Sequence, residues 1–172
     1  MRLFRGKIPA IARDIVKVLR EAGDIEVTDA EVGEVERDAS AILNEYLKVE
    51  ALVNEKTKDI MEQRRIDQQS FARTKRIVAE EMGFYTGDDG IDYLINQIIG
   101  AFMHSRFVEE VFAEDHVLRR KMIKVFREHL DIDKELDQEV RRRIKNLTEG
   151  TAAWETEYTR ILEQLKRIRG LS

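Results

Sequence analysis

Cysteine is absent from this chain of 172 residues, and proline occurs once. The absence of cysteine excludes disulfide bonds, thiolate zinc sites and thiol catalysis. Long apolar runs are absent as well, because Arg13, Asp14 and Lys17 interrupt the first apolar segment and no later stretch is long enough to cross a bilayer. We therefore expect neither a signal peptide nor a transmembrane helix, and a soluble cytoplasmic protein without a membrane partner.

Charged residues are abundant where other types are scarce. They make up 37% of the chain, and 30 basic and 34 acidic side chains give a net charge of −4. This balance argues against a protein that binds nucleic acid over its whole surface. Together with the single proline and the periodicity of the apolar residues, the composition predicts an all-α protein. The length is that of one large or two small domains.

The spacing of apolar residues predicts six helices. In the first, Ile8, Ile11 and Ile15 follow the three-four spacing of one buried face, and Pro9 suits the first turn. The predicted helices cover about residues 9–22, 29–62, 68–82, 91–105, 113–146 and 152–169. The second is roughly 50 Å long at 1.5 Å per residue, so the sequence predicts an elongated molecule with two long helices.

The second helix carries the seam of a coiled coil, since its apolar residues recur in alternating steps of four and three. The seam residues are Val35, Ala39, Ile42, Tyr46, Val49, Val53 and Ile60, with Lys56 as the one unsuitable position. Before this helix, Asp24–Val27 is predicted to be extended and to pair with the stretch 107–111. Thr28 to Glu31 forms a capping box in which the Thr28 hydroxyl accepts from the Glu31 N–H. Asp67 and the turn ending at Thr151 are further caps.

The two halves of the sequence correspond at a constant offset of 83 residues, without a gap. Three residues of the first predicted helix fall on three of the fourth: Ile8 on Ile91, Ile11 on Leu94, and Leu19 on Phe102. The offset predicts two pseudo-repeated three-helix units, residues 1–83 and 91–172, joined by a hinge at residues 84–90. Identical pairs are sparse, so an old duplication and two independent units of similar periodicity both fit. Because Phe84 and Tyr85 are aromatic, we expect the hinge to pack on one unit, with only Gly87–Gly90 forming a turn.

No residue pattern predicts catalysis or a metal site. Three histidines, His104, His116 and His129, lie near carboxylates, but no pair has the one-turn spacing of a helical metal motif. His129 occupies the seam position that Tyr46 occupies in the first half, which predicts a buried or half-buried structural histidine. The chain has no nucleophile elbow and no glycine-rich phosphate loop. We therefore expect a non-enzymatic protein with no metal and no cofactor.

Clusters of basic residues are the remaining candidates for function. They fit two interpretations: a surface that contacts another protein or the phosphates of RNA or DNA, with steeply salt-dependent binding in the second case, or simply the solvated faces of helices. The candidate residues are Arg2, Arg5, Lys7, Arg13, Arg64, Arg65, Arg73, Lys75, Arg76, Arg141, Arg142, Arg143 and Lys145.

The chain begins Met-Arg-Leu-Phe-Arg-Gly-Lys-Ile-Pro, and the pattern continues through Ile11-Ala12 and Ile15-Val16. Further along, a middle stretch contains Arg73, Lys75, Arg76 and Gly83, and the turn before Trp154 contains Gly150 and leads to Tyr158. In these stretches the sequence resembles a bacterial family catalogued as domain of unknown function five hundred and seven. Because the stretches lie at the start, middle and end of the chain, the resemblance spans its whole length. The resemblance implies two related halves and a basic amino-terminal arm as a family feature. It supplies no catalytic residue.

These features together predict a helical interaction or scaffolding protein. Its exposed helical seam or its arm would contact another protein or a second copy of itself, which requires apolar surface left over at the far ends of the second and fifth helices. The alternative is a nucleic-acid-associated factor that uses the basic clusters, and a distant third is an enzyme.

Overall fold

The structure is a computed structural model that describes residues 3–169, apart from the side chains of residues 132 and 133. Within this range the chain is mostly helical, which confirms the predicted six helices, two of them long. The helices are α1 Ile8–Glu21, α2 Val32–Gln63, α3 Phe71–Glu81, α4 Gly87–His104, α5 Asp115–Arg143 and α6 Ala152–Ile168. Two strands, β1 Ile25–Glu26 and β2 Glu110–Val111, form a small sheet. None of the described helices is both long and apolar enough to cross a bilayer.

The chain forms two compact units. Unit 1 consists of Leu3–Lys48 and Thr86–Asp131, and unit 2 of Val49–Tyr85 and residues 132–169. Each unit thus takes one segment from either side of the predicted hinge, and the units do not coincide with the sequence halves 1–83 and 91–172. The long helices explain the difference, because α2 and α5 each contribute their first part to unit 1 and their remainder to unit 2.

Unit 1 has its core on α1 and α4. The apolar faces of these helices are fully buried, as Ile11 and Ile15 of α1 and Leu94 and Ile98 of α4 illustrate. Strands β1 and β2 pair antiparallel, with Ile25 opposite Val111 and Glu26 opposite Glu110. This confirms the predicted pairing of the link after the first helix. Such a short ladder is marginal in water, so packing of the unit stabilises it.

Unit 2 has a core between α3 and the second part of α2. Val53 packs with Val78 and Ala79, and Ile60 and Phe84 cover this cluster. Phe84 of the predicted hinge therefore packs on unit 2 as expected. Tyr85 is 52% exposed, and the hinge residues from Thr86 onward belong to unit 1, so the hinge as a whole does not rest on one unit. The expected turn at Gly87–Gly90 is wrong, since these residues form the first turn of α4. Asp88 and Asp89 in that turn favour helix formation because carboxylates interact well with a helix amino terminus.

The predicted seam of α2 changes register in unit 2. The predicted seam position Lys56 is exposed, and α2 instead buries the next residue, Thr57, which is 0% exposed. The hydroxyl of Thr57 donates to the carbonyl oxygen of Val53 at 2.7 Å. A threonine can therefore take a core position, because the helix itself satisfies its hydroxyl.

The predicted caps are present in two places and altered in a third. The Asp67 carboxylate accepts from the Gln69 N–H at 2.9 Å, and the Thr151 hydroxyl accepts from the Trp154 N–H at 3.2 Å, as predicted. The capping box before α2 is different, because α2 begins at Val32. The Glu31 N–H donates to the backbone carbonyl of Thr28, and the Thr28 hydroxyl donates to the Glu31 carboxylate at 3.1 Å.

Candidate interaction surfaces

The basic candidates near the amino terminus belong to unit 1. Arg2 lies outside the described residues. Arg5 and Lys7 form a single 3-10 turn before α1, in which Arg5 is exposed and Lys7 is half-buried. Arg13 is exposed on α1, where it lines a cavity of about 480 Å³ together with Lys17 and Arg20. Lys17 and Arg20 were not among the candidates predicted from the sequence, although their spacing places them on the same face of α1 as Arg13.

The basic candidates of unit 2 divide into paired and unpaired side chains. Three of them make ion pairs: Lys75 with Glu50 at 3.6 Å, Arg141 with Asp137 and Glu149, both at 2.9 Å, and Arg143 with Glu139 at 2.7 Å. The others are exposed and make no ion pair with any described residue; they are Arg64, Arg65, Arg73, Arg76, Arg142 and Lys145. The unpaired cations are the ones available to a ligand or a partner.

Arg141 belongs to a network that joins α5 to α6. Its guanidinium donates from Nε to Asp137 and from both terminal nitrogens to Glu149, and it lies 5.3 Å from the centre of the Trp154 ring. The Tyr158 hydroxyl donates to the other oxygen of Asp137 at 2.5 Å. Burial opposes the charge of Arg141, but these carboxylates outweigh it and raise the pKa of Arg141. All its nitrogens are occupied, so its role is to hold α5, the following turn and α6 together.

Arg143 likewise pairs with a carboxylate of the same helix, that of Glu139. Its hydrogen bond to Glu139 is the main reason that the pKa of Glu139 lies below its ordinary value, and Arg169 adds a second bond to the same carboxylate at 2.7 Å. Both arginines thus pair with α5, which leaves Arg142 and Lys145 as the exposed cations near its end that make no ion pair with a described residue.

The histidines make local contacts. In unit 1, Nε2 of His129 lies 2.7 Å from Oδ2 of Asp14, and the half-buried ring confirms the predicted structural role. Nδ1 of His104 lies 2.9 Å from the carbonyl oxygen of Gly100, and His116 lies 3.3 Å from Glu114. Among the side chains that the structure describes, no three His, Asp or Glu residues converge in a way that could hold a metal ion.

Helix α3 presents an outer face with an unusual order of residues. Its inner side buries Phe71, Thr74, Val78 and Ala79. We define the α3 outer face by the exposed residues Arg73, Arg76, Ile77, Glu80 and Glu81. Ile77 is 47% exposed, and the four charged residues around it make no ion pair within the described part of the chain. The α3 outer face therefore has an apolar residue at its centre. Unpaired cations lie toward the amino terminus of the helix, and unpaired carboxylates lie toward its carboxyl terminus.

Only part of this face was predicted from the sequence. Arg73 and Arg76 were candidates because of their charge, but Ile77, Glu80 and Glu81 were not. Ile77 adjoins the buried Val78, so periodicity alone does not separate an exposed isoleucine from an inward one. One sequence pattern does indicate the face. A basic residue precedes a central apolar residue by four positions, and an acidic residue follows it by four.

A cavity of about 490 Å³ opens in unit 2 at the carboxyl end of α2. Met61 and Phe71, both buried, and the half-buried Ile66 form its apolar walls, while Lys58 and Arg65 are exposed at its edge. Gln68, Glu62 and Gly150 complete the lining.

The fold defines a class: within the described residues this is a mostly helical protein with six helices, two of them long. The chain belongs to the family described as Protein of unknown function (DUF507), whose model matches residues 1–171. The match confirms the resemblance seen in the sequence. No curated protein matches the chain.

Proposed function

We propose that this protein is a non-enzymatic helical interaction protein, and that it associates with a second copy of itself through the α3 outer face. The observation that supports the proposal is the order of charges on that face. Arg73 precedes Ile77 by four residues and Glu81 follows it by four, and both charges are exposed and unpaired within the described residues.

This order makes the face complementary to itself. A twofold axis through Ile77 sets two copies of α3 antiparallel, with the two isoleucines in contact. Arg73 of one copy then faces Glu81 of the other, and the reverse pair forms by symmetry, as in any isologous interface. Arg76 and Glu80 reinforce the same polarity. Residues four apart lie on one side of a helix, so both pairs form at the same time.

The association is expected to be weak. Each exposed ion pair contributes about 0.2–1 kcal/mol, and covering Ile77 contributes about 1 kcal/mol per copy at 25 cal/mol per Å². Helix α3 has 11 residues, so its face is roughly 16 Å long and provides well under the ~800 Å² per partner of a standard interface. Two ion pairs and two covered isoleucines together supply roughly 2–4 kcal/mol, which corresponds to a dimer with a dissociation constant of about 1 mM or weaker.

Sedimentation equilibrium at protein concentrations that extend into the millimolar range tests the proposal. We expect the native chain to dimerise reversibly, and Ile77→Ser to remain monomeric because it removes the apolar centre of the face. Leu52→Ser is the matched control, since Leu52 is 54% exposed on α2 and lies outside the face. A native chain that stays monomeric throughout, or an equal loss of association in both variants, would contradict the proposal.

A nucleic-acid-associated factor is the second candidate. It is favoured by the exposed cations of unit 2 that have no carboxylate partner among the described residues, especially Arg64, Arg142 and Lys145. Binding of a labelled single-stranded or duplex oligonucleotide would weaken steeply with salt. Arg142→Ala combined with Lys145→Ala would reduce such binding without affecting self-association. No binding of either oligonucleotide at low salt would eliminate this candidate.

We also propose that the two sequence halves are pseudo-repeats. The boundaries of corresponding helices support this: α2 begins at Val32 and α5 at Asp115, and α1 ends at Glu21 and α4 at His104, each 83 residues apart. Independent comparison of each half across members of the family tests the idea. Halves that are no more similar to each other than to unrelated helical segments would refute a duplication.

A further inference from the structure

The end of α2 has a backbone conformation that glycine normally provides. Arg65 has a φ of 52°, in the left-handed region, and no other non-glycine residue of the described chain has a positive φ. The Arg65 N–H donates to the carbonyl of Glu62, and the Ile66 N–H donates to that of Met61. These two bonds define a Schellman motif, in which the left-handed position usually belongs to glycine.

The same motif ends two other helices of this chain with glycine. After α1, the N–H groups of Gly23 and Asp24 donate to Arg20 and Leu19, and φ of Gly23 is 73°. After α3, Gly83 occupies the equivalent place with a φ of 65°. A side chain is disfavoured in this conformation, so position 65 carries an arginine at a place where this chain elsewhere uses glycine.

The Arg65 side chain lines the cavity at the carboxyl end of α2. We call this the α2-end cavity and define it by Lys58, Met61, Arg65, Ile66, Gln68 and Phe71. Its volume of about 490 Å³ falls in the range of small-molecule sites. Neither Lys58 nor Arg65 forms an ion pair or a side-chain hydrogen bond with any described residue. Glu62 is the one carboxylate in the lining, so the cavity keeps a net positive charge.

One wall of the α2-end cavity depends on close contact with a glycine. A Cβ atom added to Gly150 would lie 2.8 Å from Cδ2 of Phe71, and φ of Gly150 is 88°. The backbone of the turn before α6 therefore lies directly against the Phe71 ring. This contact fixes the position of the Phe71 ring. The ring forms an apolar wall of the cavity, and a ligand can pack against it.

We infer that the α2-end cavity binds a small organic anion, with an apolar or aromatic body and one carboxylate or phosphate group. Met61, Ile66 and Phe71 supply apolar surface for the body. Lys58 and Arg65 at the edge supply charge-assisted hydrogen bonds for the anionic group, and the Gln68 amide is available for a further polar contact. The inference is independent of self-association, because none of these residues belongs to the α3 outer face.

Solution NMR of the full chain tests the inference with defined probes. The methyl resonance of Met61 and the backbone amides of Arg65 and Ile66 would be followed during titration with phenyl phosphate and with benzoate. We expect saturable shifts with millimolar affinity for at least one of these anions, and at least tenfold weaker binding by Arg65→Gly. Benzyl alcohol, which has the ring without the charge, is the matched control ligand and should bind at least tenfold more weakly than the anion.

The Arg65→Gly variant also separates binding from folding. Glycine suits the left-handed conformation, so its melting temperature should equal or exceed that of the native chain although binding is lost. Arg65→Asn is the second variant, because asparagine tolerates this conformation and carries no charge. The inference is overturned if neither anion shifts these resonances at about 20 mM, a concentration that would detect even millimolar affinity, if the glycine variant binds as well as the native chain, or if benzyl alcohol binds equally.

Discussion

Single residues decide how tightly the turn before α6 can pack in unit 2. Gly150 combines a positive φ with the ring of Phe71 at a distance that leaves no room for a side chain. Gly100 differs in both respects. It lies inside α4 without a positive φ, and apart from the adjacent backbone of its own helix no described atom lies within 4 Å of the position that a Cβ would take. Two glycines in one chain therefore have opposite physical roles.

Alanine substitution at these two positions is predicted to have opposite effects. Gly150→Ala should lower the free energy of unfolding by about 2 kcal/mol or more, because left-handed strain and the clash with Phe71 add. Gly100→Ala should raise it by about 0.5–1 kcal/mol, because alanine loses less backbone entropy in a helix. Urea denaturation of both variants measures the difference. Equal effects would show that the contact with Phe71 has no influence on stability.

At the residue scale, the features that were predictable from the sequence are those that depend on local chemistry. The caps at Asp67 and Thr151 follow from side chains that bond to nearby backbone N–H groups, and these were predictable. The conformation of Arg65 was not, because helix-end rules look for glycine and Arg65 gives no such sign. The contact of His129 with Asp14 was also not predictable, since 115 positions separate the two residues.

At the scale of elements, the sheet of unit 1 is anchored at Asp24. The Asp24 carbonyl accepts from the N–H groups of Phe112 and Ala113, and its carboxylate, on a residue only 8% exposed, lies 2.5 Å from Nζ of Lys121 on α5. A short strand pair is thereby tied to a long helix by one partly buried ion pair. Removal of the cation leaves a buried carboxylate without its partner.

We predict that Lys121→Met lowers the free energy of unfolding by about 1–3 kcal/mol, the range for a buried polar group that loses its partner. Lys124→Met is the matched control on the same helix. Lys124 lies 3.9 Å from Glu128 and both side chains are well exposed, so its loss should change stability by less than about 0.5 kcal/mol. Thermal or urea unfolding checks both values. A Lys121 variant as stable as the control would mean that the ion pair does not anchor the sheet.

The helices and the strand pair were predictable because periodicity, turn residues and length are local properties of the sequence. The pairing of the stretch 24–27 with 107–111 was also predicted, since the constant offset aligned the two links, but its register was not. The boundaries were less accurate: α2 begins three residues later than predicted, because the stretch after Thr28 closes a turn first.

For the whole molecule, the division into two units could not be predicted from the repeat. A halving of the sequence assigns each long helix to one half, whereas α2 and α5 each contribute to both units. Composition correctly indicated a helical protein with many charges. It could not indicate which charges remain unpaired, because pairing depends on residues that folding brings together, such as Lys75 with Glu50. The four charged residues of the α3 outer face are among those that remain unpaired within the described part of the chain.

The most direct test of self-association through the α3 outer face is sedimentation equilibrium of two charge-reversal variants, alone and mixed. Arg73→Glu places like charges opposite each other in its own dimer, and so does Glu81→Arg, so each variant alone should be monomeric. An equimolar mixture restores both opposite-charge pairs and should dimerise about as strongly as the native chain, less so at high salt. A mixture that stays monomeric, or single variants that dimerise like the native chain, would contradict the account.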